Sequence, residues 1–425
     1  MKLRKGFRIV SFLNGPHGWL KRNVFACAGW LGTMLVTSQP VLAREVFTGF
    51  RHSEFKTTMR RTGWYARKGW PGREFMHDPL FDFTDGLETR ELDALQAFLD
   101  KRRCAIGEEN YSIDMLYLHG KKAHLALEEG DQKQFDRLFE QYQNYAGTIL
   151  AWFDERSAGS KTSLEKAPAI IADFSTAHAA RSLEDFAELM KEEGYNWYVI
   201  SGTFLGLIRD KGFIPHDYDI DVGINAEGLD FEQLCNTVRQ SEKFELVKIE
   251  RASVLKTDNN GTRGIEYIPT IIKAVHHNSI MMDIFVHYKK GQIRWHGTEK
   301  HCWSNLDYSL KDYELAGIPV KGPADADIYL RENYGDWRTP RSDFNSSVDT
   351  PNLVPTKNLL SIAFFLSKSM QLQKKQPDAA SQLLDMLTAR QIITTDCRLR
   401  EHWFFEPSEV FSQDSEHLTK KCDAR

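Results

Sequence analysis

The stretch Ser201-Gly-Thr-Phe-Leu-Gly-Leu-Ile-Arg-Asp-Lys-Gly-Phe-Ile-Pro-His-Asp-Tyr-Asp-Ile-Asp221 decides how the chain reads. Asp217, Asp219 and Asp221 alternate in it, and alternate residues of an extended backbone project to one side, so a strand here presents three carboxylates together. Each like charge raises the free energy of the others' ionised form, a conflict that a cation resolves. Oxygen ligands without thiolate or paired histidine favour a hard divalent ion, Mg²⁺ or Mn²⁺, over zinc. Ile220 and Val222 alternate with the carboxylates and give the strand a buried face, which distinguishes it from an Asp-rich surface turn.

Upstream, Gly202 and Thr203 fall at a strand-to-helix turn. Glycine there lets a bulky anion approach the backbone, and the N–H groups opening the next helix suit a phosphate. Arg209 and Lys211 lie between this turn and the carboxylates; the fork of Arg209 matches phosphate oxygens better than the point charge of Lys211 does. Downstream, in Ser279-Ile-Met-Met-Asp-Ile-Phe-Val-His287, an apolar strand carries Asp283 at its centre. A carboxylate so placed is expensive unless it shares a cation with Asp219 and Asp221 or forms a salt bridge with an Arg or Lys. Carboxylates on two strands beside a phosphate-friendly turn and an Arg are the apparatus of metal-dependent phosphoryl transfer.

Around this centre the patterning predicts an α/β domain. Ser182 with Asp185 three residues on reads as a capping box opening a helix striped by Leu183, Phe186, Leu189 and Met190. Strands follow at 197–200, 219–224 and 280–286, with a helix start at Thr203 and a second helix opened by Asp230 with Gln233. Helix, strand, short helix, strand, helix, strand is the order of a small sheet flanked by helices. Before it, residues 87–158 carry helical stripes (Leu92, Leu95, Phe98, Leu99; Phe135, Leu138, Phe139, Tyr142), and 44–85 is aromatic-rich without a period. The polar join at 161–166 is the best internal boundary, and the tail past 355 is again helical in pattern. Four segments result: 1–43, a leader; 44–165, irregular then mainly helical; 166–355, the catalytic domain; and 356–425, a helical extension.

The 425 residues are 41% hydrophobic and 12% aromatic, enough for a sizeable core and incompatible with disorder. Lys and Arg number 55 against 59 Asp and Glu, a net charge of -4 that supplies no field for a nucleic acid. The six cysteines form neither a disulfide framework nor a metal knuckle, although Cys397 and Cys422 are spaced to staple the tail. His276, His277, His287, His296, His301 and Cys302 invite zinc, but their spacing fits no finger. Lys2, Arg4, Lys5, Arg8, Lys21 and Arg22 precede an apolar run at 24–36 and the small-residue end at Ala43, the order of a cleaved signal peptide or an uncleaved anchor, with a buried or peripheral helix as the third option. Membrane association or the secretory pathway follows from either of the first two. Asn260-Gly-Thr and Asn345-Ser-Ser are sequons usable in a eukaryotic lumen.

The run from Gly202 to Asp221 resembles the hallmark of the LicD and fukutin family of nucleotidyltransferase-fold enzymes: Gly202-Thr203-Phe204-Leu205-Gly206, then Arg209, then Gly212-Phe213-Ile214-Pro215, then Asp217, Asp219 and Asp221. Met282-Asp283-Ile284-Phe285, the segment Tyr329-Leu-Arg-Glu-Asn-Tyr-Gly-Asp-Trp337 and Pro351-Asn-Leu-Val-Pro355 extend the likeness, the last two in spacing that is closest to fukutin. Where many LicD sequences have Trp-Asp-Asp at the start of the strand, this one has His216-Asp217-Tyr218, a departure that touches substrate detail rather than the metal carboxylates.

The resemblance implies a nucleotidyltransferase-like mixed sheet. It also implies transfer of a phosphorylated small alcohol or alditol, of the ribitol phosphate or phosphocholine type, from a CDP-linked donor to a glycan or glycoconjugate hydroxyl. In that scheme Asp219 and Asp221 hold the metal on the donor phosphates, and Asp283 shares it and serves the acceptor proton. Gly202, Thr203, Arg209, Lys211 and Asp217 line the donor phosphates, while Tyr334, Asp336 and Trp337 shape the pocket or close an aromatic corner. A Golgi-type lumen suits such an enzyme in a eukaryote; in a bacterium the side of the membrane stays open. The competing readings are a nucleotidyltransferase, which leaves a nucleotide on its acceptor, and a non-enzymatic LicD-like accessory protein of a glycosyltransferase. Retention of an expensive like-charge cluster argues against the last.

Overall fold

A computed structural model describes residues 87–156, 175–341 and 344–406, apart from 102, 216, 218, 374, 375, 395 and 397. The leader at 1–43, the segment 44–85, the join at 161–166, Cys397 and Cys422 lie outside these residues. The described chain divides into two units, 87–156 with 363–400 and 175–362 with 401–406.

The first unit is helical. It contains α1 (Thr89–Asp100), α2 (Glu108–Glu128) and α3 (Gln132–Arg156). Leu92, Leu95 and Leu99 of α1 and Phe135, Leu138, Phe139 and Tyr142 of α3 are buried, as their spacing predicts. Lys122 of α2 donates to Asp93 Oδ1 at 2.6 Å and Gln96 Oε1 at 2.7 Å, tying α2 to α1.

The second unit holds a mixed sheet. In chain order it runs α4 (Thr176–Glu192), β1 (Trp197–Val199), α5 (Ser201–Leu205), a π-helical turn (Gly206–Asp210), β2 (Asp219–Asn225), α6 (Phe231–Gln240), β3 (Phe244–Thr257), β4 (Arg263–His276), β5 (Met281–Lys290), β6 (Ile293–Gly297), β7 (His301–Leu306), β8 (Leu310–Leu315), β9 (Ile318–Pro323), α7 (Ala326–Tyr334) and β10 (Leu353–Pro355). Two more helices follow, α8 (Leu359–Gln373) and α9 (Pro377–Ala389), and the boundary between the units falls inside α8.

β5 is the hub of the sheet. Its first half lies between β2, to which it is parallel, and β4, to which it is antiparallel; its second half continues into β6, then β7 and β10. Ile220, Val222 and Ile224 of β2 and Met282, Ile284 and Val286 of β5 share the sheet face that packs into the core with Leu183, Phe186 and Met190 of α4 and Leu234 and Val238 of α6. Alternation in both strands therefore turns Asp219, Asp221 and Asp283 to the opposite face. Strands β1, β2 and β5, and the α6 cap in which Asp230 accepts the Gln233 N–H at 3.0 Å, agree with the sequence reading, whereas β3, β4 and β6 to β10 lie beyond it.

The start of α4 does not. Ser175 caps the helix by accepting from His178 N–H at 3.3 Å, a full two turns before Ser182. Ser182 instead donates to the His178 carbonyl at 2.9 Å and to Asn278 Oδ1 at 3.0 Å, while Asp185 is buried and takes Lys243 and His276. A capping-box pattern inside a helix is satisfied by such tertiary partners as readily as by the helix's own N–H groups.

Candidate functional site

β2 and β5 run parallel in the register that sets Asp221 opposite Asp283. One carboxylate oxygen from each of Asp219, Asp221 and Asp283 lies within 4.8 Å of the others, and among the described residues this is the group of acidic, histidine or cysteine side chains so arranged. Burial first, and then the charges of Asp221, Asp283 and Asp217, push the Asp219 carboxyl up to about 10; burial, Asp283 and Asp217 push Asp221 well above the usual carboxylate range. The pair cannot both ionise without a counter-charge.

Part of that counter-charge is built in. Across the other edge of β5, Lys273 of β4 is the register partner of Asp283, and its ammonium forms an ion pair with Asp283 Oδ2. Burial opposes the ammonium, but the charge and hydrogen bond of Asp283 outweigh it and hold the lysine pKa above its ordinary value. Asp283 is thus both the salt-bridge residue and the cluster member that its sequence position allows: Oδ2 is taken, whereas Oδ1 is buried with no partner. Three carboxylates and one ammonium leave two negative charges, and the orphaned oxygen points to a ligand. The donor set is all oxygen, so the residues fit Mg²⁺ or Mn²⁺.

The Gly202 turn is folded around Asp221. The Gly202 N–H bonds the Asp221 carboxylate, the Asp221 N–H donates to Thr203 Oγ1 at 2.9 Å, and the Ile200 N–H donates to the Asp221 carbonyl at 3.2 Å. A Cβ on Gly202 would stand 2.8 Å from Asp217 Oδ2 and 3.8 Å from Asp221 Oδ2, so only glycine lets these carboxylates come over the turn. Gly206 has the same use one turn on: its Cβ would meet the Gly212 carbonyl at 2.6 Å, blocking the loop that carries the chain to β2. Gly202 and Thr203 therefore position a carboxylate before they meet any phosphate.

Arg209, on the π-helical turn, grips Asp210 with Nε to Oδ1 at 2.9 Å and Nη2 to Oδ2 at 2.8 Å. Lys211 sits in left-handed backbone at φ 59°, and its ammonium donates to the Ile208 carbonyl at 2.9 Å. Helix α7 reaches the turn that carries Ser201. Tyr329 accepts the Ser201 N–H at 3.2 Å, and burial first, then Tyr329 and the charges of Asp221, Asp217 and Asp219, raise the Tyr334 phenol well above the ordinary value. The Trp337 indole donates to Asp327 Oδ1 at 3.1 Å and Asp336 is bonded by Thr339 at 2.7 Å, so of the three residues at this corner it is Tyr334 that feels the carboxylates' charge.

The histidines do not assemble a metal site among the described residues. His276 is engaged by Asp185 at 2.9 Å; the tilted rings of His287 and His296 lie 4.3 Å apart in the core, where burial lowers both pKa values, His296 to about 3. Lys273 is the site residue that sequence reading missed. The hairpin of β3 and β4 interleaves Lys248, Glu250, Arg251, Lys256 and Glu266 with its apolar residues and carries bulges between Leu246 and Lys248 and between Glu250 and Arg251, which erase the period-two signal. The one pointer was the apolar Ile271-Ile272 before Lys273.

Residues 194–325 match the LicD/FKTN/FKRP nucleotidyltransferase domain. The matched span contains Gly202, Arg209, Asp217, Asp219, Asp221, Lys273 and Asp283, and it stops at Asp325, which caps α7. The likeness read in residues 329–355 thus lies beyond the matched LicD domain. An uncharacterized protein of Rickettsia prowazekii is 26% identical over 166 residues, 36% of this chain and 53% of its own length. One of Rickettsia typhi is 28% identical over 156 residues, again 36% of this chain and 45% of its own. The ribitol-5-phosphate transferase FKTN of Mus musculus is 24% identical over 186 residues, 42% of this chain and 37% of its own. The chain spans about half or less of the length of these curated relatives. Among the described residues no helix is long and apolar enough to cross a membrane.

Proposed function

We propose that the unit containing residues 175–362 transfers a phosphorylated small alcohol or alditol, of the ribitol phosphate or phosphocholine class, from a CDP-linked donor to a glycan hydroxyl. The observation that carries this reading is the in-register pair Asp221 and Asp283 with Asp219 beside them and Asp283 Oδ1 left buried without a partner. The likeness of residues 194–325 to the LicD/FKTN/FKRP domain, and of 186 residues of the chain to a ribitol-5-phosphate transferase, supports the substrate class.

Asp219, Asp221 and Asp283 would hold Mg²⁺ or Mn²⁺, which supplies charge neutralisation on the donor phosphates. In the reaction the acceptor oxygen bonds to the phosphorus that carries the alditol, the phosphoanhydride bond to the nucleotide breaks, CMP leaves and the acceptor proton passes to a base. Asp283 serves as ligand rather than as that base: its Oδ2 is on Lys273, and its buried, unpartnered Oδ1 is the oxygen left for the cation. The proton would then pass to Asp217, whose carboxylate lies over Gly202. Arg209 exchanges Asp210 for a donor phosphate oxygen, a swap between like ligands for its fork.

Incubation with a panel of nucleotide donors and mass spectrometry of the glycan tests the proposal. A mass gain of one phospho-alditol or phosphocholine with release of CMP supports it. Pyrophosphate release with a nucleotide left on the acceptor supports the nucleotidyltransferase reading instead. The basic, then apolar leader carries a second proposal, membrane association in the secretory pathway, which fractionation of cells expressing the full chain tests.

A further inference from the structure

Lys273 stands where the like-charge cluster meets the rest of the sheet, and its pairing is more selective than strand cohesion requires. The neighbouring pairs of β4 and β5 are Ile271 with Phe285, Ile272 with Ile284, Ala274 with Met282 and Val275 with Met281, all apolar, so the strands hold together without an ion pair. Row by row across three strands, Asp221, Asp283 and Lys273 form one line, with Asp283 in the middle. The ammonium takes Oδ2 of Asp283, and Oδ1 stays buried and unpartnered on a residue of the carboxylate cluster.

We propose that Lys273 is a positioning residue that divides the two oxygens of Asp283, keeping Oδ2 for itself so that Asp283 meets the divalent cation through Oδ1 only. The inference rests on the cation reading of the Asp219, Asp221 and Asp283 cluster. Lysine suits the task because a compact ammonium occupies one oxygen, whereas the planar fork of arginine engages both oxygens of a carboxylate. The lysine also tempers the cluster's charge, so the cation is held by geometry and not by excess negative charge alone.

Two substitutions in the full chain, read by Mn²⁺ titration followed by electron paramagnetic resonance and by Tm in EDTA, separate this role from a structural one. Lys273→Arg keeps the charge but claims Oδ1, and Mn²⁺ should bind about tenfold more weakly, the scale seen when a ligand's supporting partner is changed, at nearly unchanged Tm. Lys273→Met frees both oxygens and removes one like charge, and Mn²⁺ should bind about tenfold more tightly. A strand clamp predicts neither: the affinities would stay at the parent's value while Tm fell, and that result overturns the proposal, as do shifts of both variants in one direction. If Lys273→Arg does not fold, Lys273→Met decides alone, tighter binding supporting the proposal and equal or weaker binding overturning it. Absence of Mn²⁺ binding by the parent overturns the cation reading itself and this inference with it.

Discussion

Asp221 and Asp283 are register partners on the parallel strands β2 and β5, two carboxylates set side by side by the hydrogen-bond ladder itself. The ladder fixes both backbones, while the Gly202 N–H holds the Asp221 carboxylate and Lys273 holds Asp283 Oδ2. The fold therefore builds repulsion into its centre, and that repulsion is the property the following predictions use.

The first concerns stability without metal. Asp219→Asn removes one of the mutually opposed carboxyls of the cluster and no protein partner that the structure gives it, so its Tm in EDTA should equal or exceed the parent's. Asp283→Asn removes a charge too but strips Lys273 of its ion pair. Because Lys273 is partly exposed, the cost should be about 1–2 kcal/mol rather than that of a fully buried pair. Differential scanning calorimetry of the two variants in EDTA checks the contrast; equal shifts would show that the ion pair has no part in stability.

Activity gives the second. Asp219→Asn and Asp221→Asn should each lower transfer by at least about a hundredfold at saturating Mg²⁺, the scale of losing a group that stabilises developing charge. Far-ultraviolet circular dichroism of the same samples confirms the fold, and near-parental turnover in either folded variant would move the site elsewhere.

The glycines provide the third, since their costs fall on different links. Gly202→Ala drives a methyl to within 2.8 Å of the Asp217 carboxylate, a side-chain end that gives way, so kcat/KM should fall while Tm changes little. Gly206→Ala meets the Gly212 carbonyl at 2.6 Å, backbone that cannot give way cheaply, and should cost about 1–3 kcal/mol in urea unfolding. The reverse pattern would contradict the turn geometry.

How much of this was legible beforehand follows from which residues carry patterning. Strands β2 and β5 announced themselves because apolar residues alternate with the carboxylates, and their adjacency was the natural inference from Asp283 needing compensation. Lys273 was hidden because the hairpin of β3 and β4 follows no clean alternation and bulges twice. Ser182 misled because a Ser followed by Asp satisfies the local rule for a cap, while its real partner, Asn278, lies 96 residues away. The grip of Arg209 on Asp210 was equally invisible, since adjacent charges along a chain do not usually face each other.

Arg209 supplies the fourth prediction. If Asp210 is its resting partner and donor phosphate its working one, Asp210→Asn should leave kcat within a small factor and not raise the donor KM, whereas Arg209→Gln should raise KM and lower kcat/KM with Tm nearly unchanged. Steady-state kinetics distinguishes this from a structural ion pair, in which both variants would lose Tm together.

The fifth is a pH dependence. Burial lowers His296 in the folded protein to about 3. Its unfolded value is about 6.5, so between these values the unfolded chain binds the extra proton and stability falls as pH falls. From pH 8 to pH 5 the contribution is about 2 kcal/mol. His296→Phe deletes the proton acceptor in a position where Nδ1 has no partner, and should make the decline in urea-unfolding free energy over that range shallower by about the same 2 kcal/mol. An unchanged slope would place the acid sensitivity in other groups.

Anomalous X-ray scattering at the manganese edge, from crystals of the full chain grown with Mn²⁺, tests the central claim most directly. The account predicts an anomalous peak bounded by carboxylate oxygens of Asp219, Asp221 and Asp283, with Lys273 still on Asp283 Oδ2. Crystals with bound Mn²⁺ elsewhere, or with none between those three carboxylates, would contradict it.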